Sequence, residues 1–94
     1  MSGSSIEIGN HVDIAPLVYI GTGTHERGNE DKAAGAGLQR PVRVAEGCWL
    51  GVASLILPGV ELAKSTTVGA GAVVVKGTSA AGQTIVGNPA KQIK

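Results

Sequence analysis

Two histidines, one cysteine, seven carboxylates and eight lysines and arginines supply the reactive chemistry of this 94-residue chain. Their spacing removes several reaction classes at once. Cys48 has no second cysteine to pair with, so neither an internal disulfide nor a cysteine-based zinc site is available. No GxSxG turn presents a nucleophilic serine. Two histidines fall short of a three-histidine zinc site. What remains is acid–base chemistry. An imidazole exchanges protons near neutral pH, and His25 stands in a long segment, 24–41, with Glu26, Glu30 and Asp31. From the residues alone, a solvated loop histidine is the favoured reading. His11, between Asn10 and Val12, reads as an exposed turn residue, and Lys76, Lys91 and Lys94, taken singly, as solvated charges.

The elements that position these residues follow from composition and repeat. With 43% apolar residues the chain is too hydrophobic for disorder, yet it has no Phe and only one Trp and one Tyr. Its core must therefore be built from Ile, Leu, Val and Ala. A net charge of +1 gives no general case for binding nucleic acid or an anionic membrane. No apolar run approaches the ~20 residues that span a bilayer. The opening Met-Ser-Gly-Ser-Ser lacks the features of a signal peptide. These readings predict a soluble, cytoplasmic protein with residues 1–5 as a disordered or appended tail and 6–94 as one domain.

A six-residue repeat organises the rest. The column Ile8, Ile14, Ile20, Val44, Leu50, Ile56, Leu62, Val68, Val74 is aliphatic throughout. The next column, Gly9, Ala15, Gly21, Ala45, Gly51, Leu57, Ala63, Gly69, Val75, is mostly Gly or Ala, which fits tight bends. Two positions before the aliphatic column stand Ile6, Val12, Val18, Val42, Cys48, Ser54, Val60, Thr66 and Ala72, small or β-branched residues pointing inward. Cys48 in that column reads as a buried structural thiol. A helical period of 3.6 would scatter these columns around a helix, whereas short strands keep them in line. Three strand-and-bend units make a triangular coil of 18 residues, and stacked coils bring parallel sheets around a narrow aliphatic core. The expectation is an all-β parallel β-helix with coils at 6–23, 42–59 and 60–77 and an excursion loop at 24–41, where function is expected. A last strand is predicted at 84–86.

With Ile8-Gly9-Asn10-His11-Val12-Asp13-Ile14-Ala15-Pro16, Thr24-His25, Cys48-Trp49-Leu50-Gly51, Ile56-Leu57-Pro58-Gly59-Val60, Val68-Gly69-Ala70-Gly71-Ala72-Val73-Val74-Val75-Lys76 and Gly87-Asn88-Pro89-Ala90-Lys91 in view, residues 6–94 resemble the hexapeptide-repeat acyltransferases. These have a left-handed parallel β-helix, and the likeness is greatest to the maltose/galactoside O-acetyltransferase group. The resemblance implies transfer of an acetyl group from acetyl-CoA, used as the acyl donor, to a hydroxyl of a sugar or similar small acceptor. Transfer would be direct, within a ternary complex, and no metal is expected. His25 matches the family's general base, with Glu26 or Asp31 as groups that could orient it. Trp49 matches the tryptophan beside the transfer site. Gly51, after it, counts among the cofactor-binding positions, the Gly69-Ala70-Gly71 run matches the groove for the pantetheine arm, and Lys76, Lys91 and Lys94 the basic residues near the cofactor.

The chain departs from the family pattern at Val52 and Val75, where polar contacts to the cofactor are often found. The family's sugar acetyltransferases carry an N-terminal helical segment and further coils that supply acceptor-binding residues, whereas here the match begins one coil before the loop, so the acceptor site is expected to be shortened or completed by other elements. The family's homotrimer, with active sites between subunits, is the expected assembly, since so few coils leave bare sheet ends. A shortened, non-catalytic β-helical trimerisation module is the competing expectation.

Overall fold

The computed structural model describes residues 5–77 and 80–93. The six-residue rhythm appears as strands of two or three residues separated by turns. The first coil contains β1 (Ile6–Ile8), β2 (Asp13–Ile14) and β3 (Tyr19–Ile20), and the excursion contains β4 (Gly23–Arg27) and β5 (Ala34–Gln39). The second coil holds β6 (Val42–Val44), β7 (Trp49–Leu50) and β8 (Leu55–Ile56), and the third β9 (Glu61–Leu62), β10 (Thr67–Val68) and β11 (Val73–Val74). β12 (Thr84–Gly87) and β13 (Ala90–Gln92) end the chain. No helix is long and apolar enough to cross a membrane among the described residues.

Equivalent strands of successive coils pair in parallel, giving a three-sided β-helix. The first sheet is β1-β6-β9, the second β2-β7-β10-β12 with β13 at its edge, and the third β3-β8-β11. The aliphatic column forms the ladders: Ile8 pairs with Val44 and Val44 with Leu62, Ile14 with Leu50 and Leu50 with Val68, Ile20 with Ile56 and Ile56 with Val74. The 24–41 excursion is one coil long, so the pattern resumes in phase beyond it. Backbone bonds tie the coils together, as where the Trp49 N–H donates to the Thr66 carbonyl at 2.9 Å.

The core is the two inward columns of the second and third coils. Val42, Val44, Cys48, Leu50, Ile56, Val60, Leu62 and Val68 are all buried. Each such side chain is worth roughly 1.5–3 kcal/mol on burial, which is how thin coils hold together without aromatic residues. Thr66 keeps its hydroxyl in this interior by donating to the Ala63 carbonyl at 2.8 Å. The first coil is the open end of the prism. Its inward residues Ile6, Ile8 and Ile14 remain 44–46% exposed.

Four details differ from the sequence expectation. Ser5, assigned to the tail, is tied in by its carbonyl, which accepts the Val42 N–H at 3.0 Å; residues 1–4 lie outside the described residues. The 24–41 loop is an antiparallel hairpin, β4 against β5. A fourth partial coil follows the third, because β12 stacks on β10 and carries Ile85 into the core. The Gly/Ala column also has a different cause. The left-handed backbone conformation falls two residues later, at His11, Leu17, Gly47, Ala53, Gly59, Ser65, Gly71 and Gly77. Gly51 is instead small because a Cβ there would lie 2.7 Å from both the Ala70 nitrogen and the Val68 oxygen of the next coil.

Cys48 fits the structural reading. It is buried, its thiol donates to the Ala63 carbonyl at 3.1 Å, and desolvation pushes its pKa up. A raised folded pKa means that the unfolded chain releases this proton first. The stability that the thiol contributes is therefore full below the unfolded value of about 8.5 and falls by up to about 1.4 kcal/mol per pH unit above it, until the folded pKa is reached. Urea melts between pH 7.5 and 10 should show this alkaline loss in wild type and a smaller one in Cys48→Ala. A native chain that reacts with a thiol reagent faster than it unfolds would contradict burial of the thiol.

Candidate active site

The hairpin leaves the prism at the edge between the third and first sheets, and His25 lies on β4 directly opposite Gly37 of β5. Its exposed ring reaches along the partner strand, with Nδ1 3.1 Å from the Gly35 carbonyl. A carbonyl only accepts, so Nδ1 carries the proton and Nε2 of the neutral ring is left with its lone pair. The strand pairing explains the contact. Between His25 and Arg27 the register slips, so that Gly35 and Ala36 together face Glu26. A bulge of this kind turns one peptide unit out of the ladder, here bringing the Gly35 carbonyl to the imidazole. Among the described residues no carboxylate bonds to the ring: neither Glu26 nor Asp31 does so, and the Asp31 N–H is held instead by Asn29 Oδ1 at 2.9 Å.

Beside His25 is an open cavity of about 470 Å³. Thr24, Glu26 and Arg27 line it from β4, Leu38 and Arg40 from the return of the hairpin, and Leu57, Pro58 and Val75 from the coils beneath. One wall is apolar and the other polar. The arrangement can seat a small polyol with one hydroxyl at Nε2, where proton removal is possible.

The five described residues among the six matched to the cofactor do not join this cavity. Trp49 projects from the second sheet, 58% exposed, in register with Asp13 and Thr67. Gly51 and Ala70 follow β7 and β10 at the edge between the second and third sheets, where the small size of Gly51 is used up by coil stacking and Ala70 is exposed. Lys91 is exposed on β13, opposite Val86. Lys76 lies beyond β11 and lines a different cavity, of about 540 Å³, with Leu62, Val74 and Ile85 at the end of the prism. Lys94 lies outside the described residues. Within one chain, then, His25 stands on one edge of a triangular prism while Trp49 occupies the sheet opposite that edge.

Sequence reading missed Arg27, Arg40 and Gly35. Arg27 was the findable one, since it is two residues after His25 and shares its face if the segment is a strand. Among the described residues no group of three His, Cys, Asp or Glu side chains is placed to hold a metal ion.

No protein-family model matches the chain. A galactoside O-acetyltransferase of Lactococcus lactis is 38% identical over 66 residues, 70% of this chain and 32% of that protein. The crystal structure of a maltose O-acetyltransferase from Clostridium difficile 630 superposes with a TM-score of 0.84 at 35% identity, over 95% of this chain and 47% of that one. A galactoside acetyltransferase solved with coenzyme A gives a TM-score of 0.85 at 28% identity, over 95% of this chain and 44% of that one. The chain spans less than half the length of each of these relatives.

Proposed function

The chain belongs to the hexapeptide-repeat acyltransferases with a left-handed β-helix, in the maltose/galactoside O-acetyltransferase group, and we propose that it transfers the acetyl group of acetyl-CoA to a hydroxyl of a sugar-like acceptor. The observation that carries this reading is the His25 ring, held through Nδ1 and lining an open cavity of about 470 Å³. Nε2 takes the hydroxyl proton as the oxygen attacks the thioester carbonyl. The tetrahedral intermediate collapses, the carbon–sulfur bond breaks, and the departing thiolate takes the proton back from the imidazolium. Transfer is direct, because the one thiol of the chain is buried in the core and unsuited to an acyl-enzyme. That thiol also fits a reducing, cytoplasmic setting.

The donor lies against a second copy of the chain. A closed ring places the hairpin edge of one subunit against the second sheet of the next, so that His25 meets Trp49, Ala70 and Lys91 across the interface. Exposed Leu17, Tyr19, Trp49 and Val52, on the second and third sheets and the edge they share, give that contact its apolar area. A homotrimer is the ring that the three-sided prism suits.

Thiol release from acetyl-CoA with a panel of sugars tests the activity, and failure to bind CoA at millimolar concentration would favour a non-catalytic trimerisation module. Shared sites have their own signature. His25→Ala and Trp49→Ala chains, each strongly impaired alone, should regain activity when unfolded and refolded together, since about one quarter of the mixed sites then carry both native residues. Mixtures no more active than their components would place the whole site within one chain.

A further inference from the structure

We infer that the acceptor carries an anionic group, a carboxylate or a phosphate, which Arg27 and Arg40 recognise beside the hydroxyl that His25 deprotonates. The inference rests on reading the His25 cavity as the acetyl-transfer site. Arg27 follows His25 by two residues on β4, and β4 stays in regular step there because the register slip is taken up by β5. The two side chains therefore leave the same strand face, about 7 Å apart along it. Arg40 comes from the base of the hairpin, where its N–H donates to the Thr22 carbonyl at 2.9 Å. Its stem lies across Gly59 of the second coil. A Cβ on Gly59 would stand 3.5 Å from Arg40 Cδ and 3.7 Å from its Cβ, so the stem is packed beside this corner of the second coil.

Arg27 and Arg40 both line the cavity that His25 lines, and Arg27 also borders a second cavity with Gly28, Asn29, Glu30 and Ala33. Neither is neutralised by a carboxylate, for the ion pair among the described residues is Arg43 with Glu7 at 3.2 Å, on the first sheet. Glu26 is the single acid in the lining, against two permanent positive charges. Overall charge does not explain this bias, since the whole chain carries only +1. A guanidinium fork matches the paired oxygens of a carboxylate or phosphate, and the apolar wall at Leu57 and Pro58 can take the face of a sugar ring. The phosphates of acetyl-CoA do not meet this need, because the pantetheine arm holds them far from the thioester that reaches His25. The anion belongs to the acceptor, which makes a uronic acid or a sugar phosphate a better substrate than the neutral hexose.

Galactose, galacturonate and galactose 6-phosphate should be titrated calorimetrically into the assembled protein without acetyl-CoA, and offered as acceptors in the thiol-release assay, with wild type and the Arg27→Gln/Arg40→Gln double variant. At least one anionic sugar is expected to bind about tenfold or more tightly than galactose, a preference that collapses in the double variant. The ratio of kcat/KM values should change in parallel, and which anion wins separates carboxylate from phosphate recognition. Equal binding of neutral and anionic sugars, no binding of either anion at millimolar concentration, or a preference that survives the double substitution would each overturn the inference. Charge-dependent binding without thiol release from any acceptor would instead remove the acetyl-transfer reading and leave the arginine pair as an anionic-sugar site.

Discussion

Replacing His25 with Ala is expected to lower kcat for acetyl transfer by about two to four orders of magnitude and to leave the affinity for CoA nearly unchanged. The size of the loss follows from what Nε2 does. In the proposed mechanism it removes a proton in the transition state and binds nothing in the ground state, so the effect should fall on kcat rather than KM. The Gly35 carbonyl adds a second expectation, independent of turnover. Because it accepts from Nδ1, at 3.1 Å, nitrogen-15 spectra of the neutral ring should show the proton on Nδ1. Asp31→Asn serves as the control, since that residue sits in the hairpin turn, its N–H bound to Asn29, and does not bond to the ring. Equal turnover of wild type and His25→Ala would remove the histidine from the mechanism. A proton on Nε2 would rule out Nε2 as the base.

Much of the scaffold was legible because its cause is a repeat. Each residue in the column from Ile8 to Val74 takes the ladder place its period assigns, and the interruption at 24–41 keeps phase because it has the length of one coil. The hairpin was not legible. Ala34-Gly35-Ala36-Gly37 has little intrinsic strand preference, and β5 exists because β4 pairs with it. The left-handed corners were hidden for a related reason: His11, Leu17, Ala53 and Ser65 hold four of them and Gly47, Gly59, Gly71 and Gly77 the others, so no glycine column marks the turn. For the site, His25 could be picked out by its resemblance to a known base, but what orients it could not. A backbone carbonyl has no side-chain signature, and the Gly35 carbonyl reaches the ring only through a register slip. Arg27 and Arg40 required the hairpin as well, since it is the pairing of β4 and β5 that brings residues 27 and 40 to one cavity.

Gly51→Ala is expected to destabilise the fold by about 2 kcal/mol, lowering the melting temperature by roughly 8–16 °C. Conformational entropy alone argues the other way. Gly51 is not among the residues with a left-handed backbone, and alanine at such a position ordinarily stabilises by about 0.4–1 kcal/mol through the unfolded chain. Sterics decide the sign. The new Cβ would stand 2.7 Å from the Ala70 nitrogen and from the Val68 oxygen, and 2.9 Å from the Gly69 carbonyl carbon, all of them backbone atoms that no rotamer change can move. The second and third coils must part there, straining the bond of 2.8 Å from the Gly51 N–H to the Val68 carbonyl that joins them. Gly71→Ala is the informative comparison, because that residue has a φ of +70° and no atom within 4 Å of its absent Cβ. Its cost is conformational, about 1 kcal/mol. Melts run without CoA isolate the coil contact from any role in cofactor binding. If Gly51→Ala melted no lower than Gly71→Ala, coil spacing would not be what keeps residue 51 small, and a ligand passing over it would have to be.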